Sequence, residues 1–161
     1  MHKAVFLDRD GVLNLEIGDY VTKPDDFKVL GFVAEQLKRL QDNNYLLIVI
    51  TNQGGIAKGL YTHNQLMIMH KMLIDELAKS GVKLTEIFYC EHHPEFSKCL
   101  CRKPGSIMIE KALAKYHIDP NKSYMIGDKE RDVAAATAAG VKGLLIEANE
   151  NWKFLVDEIL K

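Results

Sequence analysis

Long hydrophobic runs are missing from this chain, and so is any surplus of positive charge. No stretch approaches the roughly 18 continuous apolar residues that a membrane-spanning helix requires. The amino terminus carries one early lysine and a very short apolar run, which is not the layout of a secretory signal. A cytoplasmic protein with no membrane partner is the expectation. Lysine and arginine number 21 against 22 aspartates and glutamates, for a formal charge of -1. Without a basic field to hold a phosphodiester backbone, nucleic acid is not an expected partner. Cysteine is scarce too: three residues, an odd count that argues against a disulfide framework in a reducing compartment. Neither the phosphate-cradling GxxxxGK(S/T) loop nor the dinucleotide fingerprint GxGxxG occurs. No repeat, low-complexity tract or linker divides the 161 residues, so a single domain over 1–161 is expected. No exposed apolar stripe demands a dimer, and a monomer is the default expectation.

What is present is a repeating strand–helix order. Lys3 to Leu7 reads as a buried strand, and Tyr45 to Ile50 as a second, fully apolar one. Glu86 to Cys90, Ser123 to Ile126 and Gly143 to Ile146 follow as third, fourth and fifth. Between them the apolar residues take helical spacing: Val33, Leu37, Leu40, then Leu66, Met69, Leu73, Leu77, then Met108, Ala112, Tyr116. An alanine-rich helix from Val133 to Ala139 stops at Gly140, and Trp152, Leu155 and Ile159 mark a closing helix. The methionine-containing stripe of the second helix suits packing. His63 and His70, on or near that helix, are expected at its surface or edge. Such alternation predicts an α/β fold, a doubly wound parallel sheet with helices on both faces.

In a sheet of that kind ligands bind beyond the carboxyl ends of the strands. Asp8 and Asp10 end the first strand, one residue apart, so both carboxylates reach one point. Like charges that close repel, which raises a pKa or demands a cation. Thr51-Asn52-Gln53-Gly54-Gly55 follows the second strand, Arg102 and Lys103 come after the third, and Gly127-Asp128-Lys129 after the fourth. Together they form an inventory for phosphoryl transfer. Asp8 and Asp128 supply hard oxygen ligands for Mg²⁺, and Asp132 either joins them or serves the dipole of its helix. Thr51 and Asn52 can hold phosphoryl oxygens and Lys103 can neutralise their charge. Asp8 can attack phosphorus while Asp10 protonates the departing oxygen and later deprotonates water.

The cysteines form a second signal. Cys90-Glu91-His92-His93 is followed by Cys99-Leu100-Cys101. Three thiols and one nearby imidazole make a Cys₃His zinc set on a loop with little else to hold it, and four protein ligands leave no open position for catalysis.

Asp8-Arg9-Asp10-Gly11, Thr51-Asn52-Gln53, Lys103 and Gly127-Asp128 resemble the signature motifs of the haloacid dehalogenase superfamily of phosphatases. Asp19-Tyr20-Val21, the run from Thr51 to Ala57, and Cys101-Arg102-Lys103-Pro104 narrow the resemblance to the D-glycero-D-manno-heptose 1,7-bisphosphate phosphatase family, related to histidinol-phosphatase domains. The resemblance implies a chain without a large cap domain that removes the C7 phosphate of a heptose bisphosphate, as in the making of lipopolysaccharide precursors. It makes Asp8 the nucleophile and Asp10 the general acid/base. Mg²⁺ would be held by Asp8, the Asp10 backbone carbonyl and Asp128. It assigns phosphate or sugar to Thr51, Arg102, Lys103 and Lys129, and puts Asp19, Tyr20, Asn52, Gln53 and Gly54 among the substrate contacts. Its CxH…CxC pattern selects His92, with Cys90, Cys99 and Cys101, for a structural zinc.

Two departures stand out. Glu91 replaces a frequent proline, and the six residues between His92 and Cys99 make a shorter zinc loop than the family usually carries, implying fewer contacts to a sugar. Alternatives on these residues are a histidinol-phosphate phosphatase, another small phosphosugar phosphatase, or a non-catalytic phosphosugar-binding module.

Overall fold

Five short runs rich in β-branched and aliphatic residues form the sheet: β1 (Lys3–Leu7), β2 (Tyr45–Asn52), β3 (Glu86–Cys90), β4 (Tyr124–Gly127) and β5 (Lys142–Leu145). All pairings are parallel, and the strand order is β3-β2-β1-β4-β5. The computed structural model describes all 161 residues. The helices are α1 (Val33–Asp42), α2 (His63–Ala78), α3 (Ile107–Lys115), α4 (Glu130–Ala138) and α5 (Lys153–Ile159). Every strand and helix expected from the sequence is present, with ends shifted by a few residues. The largest shift is at α4, which begins at Glu130 because Asp132 Oδ2 accepts the Lys129 N–H at 3.0 Å and caps a polar first turn.

Strand periodicity divides the core in two. Val5 and Leu7 of β1 pack with Leu47 and Val49 of β2 under α1, α2 and α5, where Leu37, Leu40, Leu66, Met69, Leu73 and Trp152 are fully buried. Ala4 and Phe6 point the other way, with Ile48 and Ile50, onto Met108, Ile109 and Ala112 of α3 and Ala135 and Ala136 of α4. With β1 central, the chain leaves it towards β2 on one side and returns as β4 on the other. That reversal opens a crevice at the carboxyl end of β1.

His70 departs from its expected surface position. It is 5% exposed, its ring lies 5.7 Å from that of Tyr89, and its Nε2 has no hydrogen-bond partner. A histidine four residues from Leu66 and three from Leu73 shares their buried face. Burial, with the nearby Arg9 cation adding to it, pulls its pKa down to about 3. The unfolded chain therefore takes a proton near pH 6.5 that the folded chain refuses, so this contribution to stability is lost as pH falls from about 6.5 towards 3. His70→Leu should flatten the loss of urea stability on going from pH 6.5 to 4, removing up to roughly 1.4 kcal/mol per pH unit.

Candidate active site

The turn after β1 sets the site. The Arg9 carbonyl accepts the N–H groups of Val12, Leu13 and Asn14, and the Gly11 N–H donates to the Asn14 carbonyl. Gly11 sits at φ 83°, and a Cβ there would lie 2.6 Å from Asp128 Oδ2, so glycine gives this turn its backbone conformation and leaves room for the Asp128 carboxylate. A cleft of about 280 Å³ opens above the turn. It is lined by Asp8, Asp10, Asp19, Tyr20, Asn52, Gln53, Gly54, Arg102, Asp128 and Lys129, all expected from the sequence. Thr51 (fully buried) and Lys103 (2% exposed) lie beneath its floor. Arg9, Glu16, Tyr61 and Arg131 also line it and were not foreseen: Arg9 stands inside the Asp8–Gly11 motif with no role assigned by it, and the other three are isolated side chains.

Lys103 is the charge centre. Its Nζ donates to Asp8 Oδ1 at 2.9 Å and to the Ile50 carbonyl at 2.7 Å, and pairs with Asp132 Oδ1 at 2.6 Å. Burial works against its charge, yet Asp8 and Asp132 hold the ammonium above the usual lysine range. Asp132, fully buried, thus anchors Lys103 as well as capping α4. Asn52 clamps the backbone of the same lysine: its Oδ1 accepts the Lys103 N–H at 2.9 Å and its Nδ2 donates to the Lys103 carbonyl at 3.1 Å.

The two aspartates of the pair live in opposite environments. Burial pushes Asp8 up to about 7, with Lys103 opposing and Asp132 and Asp10 adding to the rise. Asp10 is turned away from this cluster. Its Oδ1 accepts from Arg9 Nη2 at 3.0 Å and Asn14 Nδ2 at 2.9 Å, and its Oδ2 from Gln53 Nε2 at 3.0 Å. Burial favours its neutral form, but Arg9, Asn14 and Gln53 outweigh that and hold the carboxyl below the ordinary range.

The donor sets suit metals. Carboxylate oxygens of Asp8, Asp128 and Asp132 lie within 4.8 Å of one another. Both oxygens of Asp128 are buried without a hydrogen-bond partner, and only the Lys129 ammonium stands near, at 3.3 Å. Unsatisfied hard oxygens in that setting fit a divalent cation such as Mg²⁺. At the end of β3 and in the loop after it, Cys90, His92, Cys99 and Cys101 bring their ligand atoms within 4.8 Å of one another. Cys90 Sγ lies 3.5 Å from His92 Nδ1, and His92 Nδ1 lies 3.3 Å from Cys101 Sγ. This compact soft set fits tetrahedral zinc. Arg102 and Lys103 follow Cys101 directly, and Arg102 Nη1 donates to the His92 carbonyl at 3.2 Å, so the cluster reaches the cleft through two bonded neighbours.

A HAD-hydrolase-like family model matches residues 100–151. D-glycero-beta-D-manno-heptose-1,7-bisphosphate 7-phosphatase of Haemophilus ducreyi is 47% identical over 87% of this chain and 80% of its own length. The chain belongs to the heptose-1,7-bisphosphate 7-phosphatase family of HAD-like hydrolases. Another relative, at 42% identity over 86% of the chain and 79% of its own length, is the D-glycero-alpha-D-manno-heptose-1,7-bisphosphate 7-phosphatase of Photorhabdus laumondii. Among solved structures, the D,D-heptose 1,7-bisphosphate phosphatase of B. bronchiseptica, complexed with magnesium and phosphate, superposes with a TM-score of 0.91 at 28% identity over 98% of both chains.

A stoichiometric zinc ion should be found by elemental analysis of protein purified without chelators. Cys101→Ala should lose it and lower the melting temperature by about 5–15 °C, the equivalent of a few kcal/mol for a chain of this size.

Proposed function

We propose that this protein is a magnesium-dependent phosphomonoesterase that removes the C7 phosphate of D-glycero-D-manno-heptose 1,7-bisphosphate. The observation that carries the reading is membership of this family, at 47% identity, with the Asp8–Asp10 pair, Lys103 and Asp128 brought to one cleft. It acts as one domain over residues 1–161, as a monomer, in the cytoplasm.

Asp8 is the nucleophile. Its carboxylate attacks phosphorus, the P–O bond to the C7 oxygen breaks, and the electron pair leaves on that oxygen, which takes a proton from Asp10. In the resting protein Asp10 is a carboxylate. The incoming negative phosphoryl group raises its proton affinity, so it is loaded in the complex. In the second half Asp10 takes a proton from water, whose oxygen attacks the aspartyl-phosphate, releasing phosphate and restoring Asp8. Lys103 and Thr51 stabilise charge on the phosphoryl oxygens. A magnesium ion held by Asp8, Asp128 and the Asp10 backbone carbonyl would supply further positive charge to those oxygens when bound. Cys90, His92, Cys99 and Cys101 would hold a structural zinc, which would tether the segment that carries Arg102 and Lys103.

The outer cleft suits a second phosphate and a sugar. Arg102, Lys129 and Arg131 present cations at its rim, while Glu16, Asp19 and Tyr20 offer groups for hydroxyls and a ring face. Asn52 and Gln53 act differently from the other substrate contacts expected of them, because the Asn52 side chain is engaged with Lys103 and that of Gln53 with Thr51, Asp10 and Tyr61.

Asp8→Asn should lower phosphate release by at least about 10³-fold, and Asp10→Asn by about 10²–10⁴-fold, each with an unchanged circular dichroism spectrum. Wild-type turnover surviving in a clean Asp8→Asn preparation would remove the aspartyl-phosphate route. Side-by-side kcat/KM values for the two anomers of heptose 1,7-bisphosphate, fructose 1,6-bisphosphate and histidinol phosphate test the substrate. One heptose anomer should lead; a lead for histidinol phosphate would overturn the sugar assignment and leave Asp8 as nucleophile.

A further inference from the structure

Gln53 is 3% exposed, and its amide is fully committed inside the protein. Nε2 donates to Asp10 Oδ2 at 3.0 Å and to Thr51 Oγ1 at 2.9 Å, and Oε1 accepts from the Tyr61 hydroxyl at 2.6 Å. An amide head has two orientations that exchange its donor and acceptor ends. One meets the Asp10 carboxylate with N–H; the other sets oxygen against oxygen. The Tyr61 hydroxyl satisfies Oε1 only in the first, and so pins the head from the far side.

Tyr61 is itself held for this purpose. It is 4% exposed, and burial pushes its pKa up to about 12, so its hydroxyl keeps the proton it donates throughout the neutral range. A Cβ added to Gly55 would stand 2.2 Å from Cε1 of the Tyr61 ring. The glycine at 55 therefore makes room for the ring.

We propose that Tyr61 is a positioning residue for phosphoryl transfer: acting through the Gln53 amide, it fixes the Asp10 carboxyl in the orientation from which the proton reaches the leaving oxygen. Arg9 and Asn14 restrain the other Asp10 oxygen, Oδ1. The chain Tyr61–Gln53–Asp10 joins the segment leading into α2, the turn leaving β2 and the turn after β1, so the proton donor is tied to two segments besides its own. This inference rests on the phosphomonoesterase reading.

The experiment is a comparison of Tyr61→Phe with wild type on two substrates. Heptose 1,7-bisphosphate has an alkoxide leaving group that needs a proton; 2,4-dinitrophenyl phosphate has a phenolate that leaves without one. With a single hydrogen bond removed, kcat on the heptose substrate should fall about 10-fold with KM within about 2-fold, and kcat on the aryl substrate should hold. In an Asp10→Asn background the same substitution should cause no further loss on the heptose substrate. Equal losses on both substrates, a change confined to KM, or no loss at all would each overturn the inference. Should Tyr61→Phe fail to fold, Tyr61→Met, which also lacks the hydroxyl but leaves Gln53 and Thr51 in place, must show the same split between substrates. Failure of the parent reading looks different: wild type would then release phosphate from neither substrate.

Discussion

Everything at the cleft depends on one buried ammonium. Lys103 stands between Asp8 and Asp132, all three almost wholly removed from water. Taking any one of these charges out of water alone would cost several kcal/mol, and only their mutual contacts and hydrogen bonds make the cluster tolerable. Much of the surrounding architecture serves that arrangement. Asn52 clamps the lysine backbone from the end of β2, the Ile50 carbonyl takes a hydrogen bond from Nζ, and Asp132 holds Nζ from the first turn of α4. The zinc-type cluster ends at Cys101, two residues before the lysine, and limits where the loop can go.

The same economy separates two carboxylates that differ by only two positions. Asp8 faces the buried cluster, where burial and neighbouring acids push its proton affinity up and Lys103 resists. Asp10 faces amide and guanidinium donors, which draw its affinity down although its partial burial opposes them. Environments that push a pair of acids apart are how one site assigns them different work. In the substrate-free protein the order runs against the two roles: the incoming phosphoryl group raises the proton affinity of Asp10, and a divalent cation on Asp8 would lower that of Asp8, before one gives up a proton and the other attacks.

The residues lining the cleft divide by what their polar groups do. Motif residues such as Asp128 and Lys129 bring unsatisfied or charged groups to it. Asn52 and Gln53 line it too, but their side chains are engaged with protein groups and hold the others. The short cysteine loop meets this cleft at its base, where Arg102 Nη1 bonds the His92 carbonyl and His92 and His93 stand against Gly54, while Phe96 farther along faces solvent.

The sequence by itself determined the secondary structure order, the two faces of the sheet and the meeting of Asp8, Lys103 and Asp128. Period-2 and period-3.6 patterns report burial directly, and a parallel sheet forces the strand ends to one rim. It also determined the Cys90, His92, Cys99 and Cys101 cluster, whose members are close in the chain. What only the tertiary structure decided is which polar groups are spent on one another. Asp132 could have served a helix dipole or a metal, and it is paired with Lys103; His70 could have lain at an edge, and it is buried against Tyr89. The roles of Arg9, Gln53 and Tyr61 have the same origin. A hydrogen-bond partner is chosen by a few tenths of an ångström and by the orientation of an amide or hydroxyl, between residues on different elements, and no periodicity along the chain records that choice.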